Sequence, residues 1–153
     1  MRGAFLVIFG VVLAGCGSAK QVRLSIHPSQ DMNDSRSCYV LVRSVEEKAY
    51  GTESYSDVAS KAMAPDESVQ RSVAVLPGVA QELTVSVPEK GRLAVYAMLR
   101  QPEDERWRVL LPASPPARVE LRVERGRVCW TSAGEAKSAE GRCGPGPKAV
   151  KGR

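Results

Sequence analysis

The chain has 153 residues, 22 Lys and Arg against 17 Asp and Glu, a formal net charge of +5, one histidine and four cysteines. That length admits one domain with tails. The scatter of Lys and Arg among Asp and Glu, without clustered aromatics on which bases could stack, argues against nucleic acid as a partner.

The N-terminus begins with Met1-Arg2, continues through an apolar run from Gly3 to Val12 and ends in Leu13-Ala14-Gly15-Cys16. A basic start, a short apolar run and small residues before a break are the order of a signal peptide. The run is about ten residues, short of the ~20 that a spanning helix needs. Leu-Ala-Gly-Cys resembles the lipobox read by lipoprotein signal peptidase, which implies cleavage before Cys16 and diacylglycerol on its thiol. Gly17 after the lipidated cysteine resembles the sorting pattern of outer-membrane lipoproteins, so the expected location is the periplasmic face of the outer membrane. The expected division is residues 1–15 as signal peptide, 16–21 as lipidated linker, 22–131 as one domain and 132–153 as a tail.

Val22, Leu24 and Ile26 alternate with Gln21, Arg23 and Ser25, the pattern of a half-buried strand. His27 to Ser37 is rich in turn formers and holds neither periodicity, so a long polar loop is expected there, and loops of that size are often functional. Cys38 to Val45 is a second strand. Within Glu46 to Met63 the sequence predicts one short helix capped by Thr52 or Ser54 and stopped near Pro65. Ser68 to Leu76 and Glu82 to Val87 alternate on either side of Pro77-Gly78 and read as a hairpin. Arg92 to Arg100 is apolar on both faces, as in a central strand, and Gln101 to Glu105 turns it back into Arg106 to Leu111. Trp107, Val109 and Leu111 should share an inner face, with Arg106 and Arg108 projecting outward together. Pro112 ends that strand. Val119, Leu121 and Val123 alternate with Arg118, Glu120, Arg122 and Glu124, and Arg125-Gly126 turns the chain into Arg127 to Trp130. About eight short strands and one short helix predict a mainly β fold, an antiparallel two-sheet sandwich.

With Cys16 committed to lipid, Cys38, Cys129 and Cys143 remain for an oxidising compartment, which suggests one disulfide and one thiol. The short loop between Cys129 and Cys143 favours that pair, with Cys38 and Cys129 as the alternative. No CxxC or CxxH pair exists, so no metal site is expected, and no cofactor beyond the covalent lipid. The tail from Lys137 to Arg153, rich in Gly, Pro, Lys and Arg, reads as a solvated tail or as an electrostatic contact with lipid, cell wall or a partner.

Catalytic constellations are lacking. His27 stands in a loop beside Pro28, and Glu46-Glu47 and Asp104-Glu105 are neighbours in polar stretches, where solvated charge is the simpler reading. Gly141 to Pro147 has glycines but no strand and helix to aim them at a phosphate. No enzyme is expected, and a binding role centred on the first long loop is favoured.

Several features then occur in one order: the lipobox, a first strand followed by a polar loop, a Val-rich second strand, a Tyr-containing helix, Leu76-Pro77-Gly78, Leu93-Ala94-Val95-Tyr96-Ala97 and Arg106-Trp107-Arg108. Together they resemble the outer-membrane lipoprotein of the type VI secretion system, the TssJ family. The resemblance runs from Cys16 to about Leu111 and departs where that family has Tyr-Gln-Leu and this chain has Arg43-Ser44-Val45. It implies a transthyretin-like sandwich that binds the periplasmic C-terminal domain of the inner-membrane component TssM. It also implies that the loop between the first two strands makes the contact, here Ser29, Gln30, Asp31, Met32, Asn33, Asp34 and Ser35, with Met32 as an apolar anchor in a polar rim. The competing expectation is a sandwich that binds a small ligand or cell-wall glycan through exposed Tyr39, Tyr96 and Trp130.

Overall fold

In the computed structural model, residues 19–132 and Cys143 are described. The expected signal peptide, the lipidation site Cys16 and nearly all of the tail lie outside them. Eight strands follow in chain order: β1 Gln21–Pro28, β2 Cys38–Val45, β3 Val69–Val75, β4 Gln81–Ser86, β5 Arg92–Ala97, β6 Arg108–Leu110, β7 Arg118–Val123 and β8 Val128–Ser132. They form two four-stranded sheets, β4-β1-β7-β8 and β3-β2-β5-β6. This is the expected two-sheet sandwich, with one pairing that local alternation does not reveal. β1 and β7 run parallel, Arg23 beside Arg118 and His27 beside Arg122, while the other pairings are antiparallel.

The period-two pattern of β1 and β7 sends Val22, Leu24, Ile26, Val119, Leu121 and Val123 inward, where all six are fully buried. They meet Val40, Val42, Leu93, Val95 and Ala97 from the other sheet, together with Val109, Leu111 and Trp130. Full burial of each Val or Leu is worth roughly 1.5–3 kcal/mol over exposure, so this interleaved layer is the main source of stability.

The second sheet is apolar on its outer face too, and a helical segment covers it. Two helices, α1 Glu47–Thr52 and α2 Tyr55–Met63, stand where one was expected. The break falls at Glu53-Ser54. Ser54 caps α2 in a reciprocal box with Asp57, and Glu53 turns inward to Arg43 and Tyr96. Under these helices Leu41, Val45, Val58, Ala94, Tyr96 and Trp107 form a second apolar cluster.

Trp107 therefore does not share a face with Val109 and Leu111, as alternation predicted. It ends a 3-10 turn, Asp104–Trp107, and the turn breaks the strand periodicity before β6 begins. Arg106 and Arg108 part company as well. Arg106 is exposed beside Glu103, whereas Arg108 folds over the rings of Tyr50 and Trp107 and donates to the carbonyls of Tyr50 and Glu53.

The expected hairpin at Pro77-Gly78 is a crossover. β3 pairs with β2 and β4 pairs with β1, so the chain changes sheets between them. Val79 N–H closes a turn on the Leu76 carbonyl, with Gly78 at φ 70°. Alternation reports which face of a strand is buried and is silent about its neighbour, so two amphipathic runs around a turn signal fit either arrangement.

Cys129 and Cys143 form a disulfide with Cα atoms 4.9 Å apart, and Cys143 N–H donates to the Trp130 carbonyl. Among the described residues the free thiol is that of Cys38, which is buried.

Candidate functional site

The strand directions sort the connections into two ends. Residues 19–20 lead into β1 at one end, and the chain leaves β1 at the other, about 25 Å away for eight extended residues. Four connections gather at that far end: 29–37, 76–80, 98–107 and 124–127.

Side chains and backbone clasp these four connections into one platform. Met32 is fully buried in the intersheet core and plugs the first connection into it. Next to it, Asn33 donates from Nδ2 to the Ser37 carbonyl at 2.8 Å and accepts at Oδ1 from Arg100 N–H at 2.7 Å. Asn33 N–H also donates to the Arg125 carbonyl, and the Asp34 carboxylate pairs with the Arg125 guanidinium at 2.8 Å. Glu103 N–H donates to the Gly126 carbonyl, joining the third connection to the fourth. Gln30 lies against Gly78, where a Cβ would meet its side-chain nitrogen at 2.1 Å, and so joins the first to the second.

Strain collects in the same place. Among the described residues, the non-glycine positions with positive φ are Asn33, Asp34, Ser35 and Asp104, and all four lie in these connections. Each costs on the order of 1 kcal/mol or more and persists because its surroundings enforce it, and such positions tend to mark functional surfaces.

The seven residues singled out in the first connection divide by exposure. Gln30, Asp31 and Ser35 face solvent, while Ser29 and Asp34 are half-buried. Met32 and Asn33 are buried, so Met32 is no exposed anchor: it shapes the loop from inside. The exposed apolar groups of the platform are instead Leu76 and Val79, at 52% and 49%, with Tyr39 at 49% at the start of β2. Sequence reading passed over Leu76 and Val79 because a hairpin left them no role. The signal was there in two apolar residues flanking Pro77-Gly78, a turn that solvates its neighbours.

The groove lined by aromatics does not form. Tyr96 is fully buried and Trp130 is 2% exposed, both held in the packing of the sandwich. Tyr96 donates its hydroxyl to Glu53 at 2.7 Å, and burial first, then this carboxylate, push its phenol far above the usual range. A shallow open hollow lined by His27, Ser29, Glu120, Arg122 and Glu124 lies on the outer face of the first sheet. No group of His, Cys, Asp and Glu able to hold a metal occurs among the described residues.

This architecture is a two-sheet β-sandwich with a chain entry at one end and a clasped loop platform at the other. The IglE N-terminal domain family matches residues 39–124, more than half of the chain, and the chain belongs to that family of TssJ-like type VI secretion lipoproteins. No curated protein sequence matches it. Among solved structures it is similar to the type VI lipoprotein TssJ1 from Pseudomonas aeruginosa, at 15% identity and TM-score 0.58 over 74% of this chain and 95% of that one. It is similar also to Lip from Serratia marcescens, described as a membrane-bound component of the type VI secretion system, at 13% identity and TM-score 0.61 over 74% and 97%. A structure described as the TssM C-terminal domain from EAEC matches at 17% identity and TM-score 0.58 over 74% and 98%. At these identities the likeness establishes the fold. Among the described residues no helix is long and apolar enough to cross a membrane.

Proposed function

We propose that this protein is an outer-membrane lipoprotein of the type VI secretion system. Lipid on Cys16 anchors it to the periplasmic face, and its sandwich holds the membrane complex by binding the periplasmic C-terminal domain of TssM. The role is that of a scaffold and needs no catalysis. One observation carries the reading: the end that receives the chain from Cys16 is opposite the end that bears the strained, clasped platform. Anchored by residues 16–20, the domain presents its loops away from the membrane, toward a partner that reaches it from the inner membrane. Preorganisation supports the same conclusion, because a loop already fixed by Asn33 and Met32 loses little entropy on docking.

Gln30, Asp31, Ser35, Leu76 and Val79 supply the contact, with the two apolar side chains as the desolvated centre and the polar ones as rim. The test is calorimetric titration of residues 17–153 with the TssM C-terminal domain from the same organism. Micromolar or tighter binding is expected, weakened at least tenfold by Leu76→Glu with Val79→Lys. An intact, folded domain that binds nothing would sink the tether. Burial of Tyr96 and Trp130 counts against the ligand-binding sandwich, which keeps only Tyr39 of its three rings at the surface.

A further inference from the structure

The membrane-facing end has a charge pattern of its own. On the outer face of the first sheet, Arg23 of β1 stands directly beside Arg118 of β7, both exposed. Like charges opposed across strands are unfavourable, so a sheet normally relieves them with a carboxylate. Here no described residue forms an ion pair with either arginine. The other neighbour of Arg23 is Thr84, and the carboxylates Glu82 and Glu120 appear only one rung farther from this end, on either side of Ser25. Exposed Lys20 and Lys90 lie at the same end and are also without an ion pair to a described residue, with exposed Glu89 beside Lys90.

The other half of this end, under the second sheet, carries the acids. Glu46, Glu47, Asp66 and Glu67 are there, Glu47 paired with Arg92 and Asp66 with Lys61, together with exposed Lys48 and with Lys90, whose neighbour Gly91 packs on the end of β2. The end is therefore polarised, with unrelieved basic charge under the first sheet and mixed, largely balanced charge under the second.

We propose that Arg23 and Arg118, with Lys20, form a docking face for anionic phospholipid headgroups that tips the first sheet toward the membrane carrying the lipid anchor. The inference rests on the reading of Cys16 as lipidated. Four residues lie between Cys16 and Gln21, five steps of at most roughly 17 Å of extended chain, so this end stays near the surface. An anionic surface supplies the counter-charge that the fold withholds, and basic residues held there each strengthen attachment until salt screens them.

Residues 17–153 contain the whole sandwich, both apolar clusters and the disulfide, so the unlipidated mature chain serves as the probe. Its sedimentation with phosphatidylethanolamine–phosphatidylglycerol vesicles is compared with that on phosphatidylcholine vesicles. Binding to the anionic vesicles alone is expected. Arg23→Gln with Arg118→Gln should lower it about tenfold or more, whereas Arg122→Gln, two rungs farther along the same face, should leave it unchanged. Wild-type binding by the double variant would overturn the proposal and assign the attraction to the basic tail. So would an equal loss in Arg122→Gln, or displacement by inorganic phosphate beyond that by chloride at matched ionic strength, which marks a single-phosphate pocket. The double variant should bind the TssM domain as the wild type does. Mass spectrometry of the protein extracted from membranes tests Cys16 separately, so failure of the anchor and failure of the face are read in different experiments.

Discussion

Arg43 and Glu53 form an ion pair at 2.8 Å beneath the helical segment, with only 5% and 15% of their side chains exposed. Arg43 also donates to Ser68 Oγ at 2.9 Å and lies over the Tyr96 ring, while Glu53 accepts the Tyr96 hydroxyl. Glu53→Ala would strand a buried guanidinium, and truncating one member of a buried pair costs about 3–5 kcal/mol. Urea unfolding should place Glu53→Ala in that range. A double replacement, Arg43→Met with Glu53→Leu, should recover most of the loss. Equal destabilisation in the double variant would show that the pair is not the reason.

Met32 tests whether the first connection is shaped from inside. Met32→Ala removes a fully buried side chain and should cost about 2–5 kcal/mol, whereas Asp31→Ala next to it should stay within about 0.5 kcal/mol. Binding of the TssM domain should follow different rules, with Met32→Ala weakening it through a loosened loop and Asp31→Ala through a lost rim contact. A Met32→Ala variant as stable as the wild type would mean the side chain is not part of the core.

Cys38 supplies a pH dependence. Burial pushes its thiol up from 9.0 to about 11. A folded-state value above the unfolded one favours the protonated form, so its contribution is complete below pH 9 and is lost as pH rises toward about 11. Cys38→Ala should fall less steeply in stability across that window than the wild type. At pH 8 the folded protein should resist iodoacetamide and react once unfolded; rapid labelling of the native state would refute the burial.

The disulfide closes a 14-residue separation between Cys129 and Cys143. Chain-entropy reasoning assigns such a loop about 3 kcal/mol, so mild reduction should lower the urea midpoint of a domain that stays folded. An unchanged midpoint after confirmed reduction would show that the bridge adds nothing to the fold.

Much of the sandwich could be read along the chain because one face of most strands is wet. Val119, Leu121 and Val123 declare their strand by alternation alone, and so do Val22, Leu24 and Ile26. What a strand pairs with is another matter. The parallel contact of β1 with β7 joins segments nearly a hundred residues apart, and the crossover at Pro77-Gly78 mimics a hairpin locally. Met32 reads as an apolar anchor at the loop tip because its neighbours Asp31, Asn33 and Asp34 are polar, yet its side chain is fully buried. Asn33 turns that polarity inward, its side chain satisfying the Ser37 carbonyl of its own connection and the Arg100 N–H of another. Trp107 was correctly placed inside but against the wrong layer, since a four-residue 3-10 turn resets the face that follows. The long connection after β1 was picked out as the region of interest, yet its partners Leu76 and Val79 come from a distant turn and could be assembled only by the fold.

The course of β1 also bears on mechanics. The strand begins at the end where residues 19–20 enter the sandwich and ends where the first loop of the platform starts. With the lipid on Cys16 that we propose, a pull between lipid and loop runs along a single extended backbone, which has almost no slack to give. β4 and β7 grip this strand from both sides through ladders that a pull along β1 loads in shear, many bonds at once rather than one after another. The two helices and the whole second sheet lie off the line of force. A secretion machine that strains against its outer-membrane attachment would be held by a stiff rod laid through the middle of a sheet.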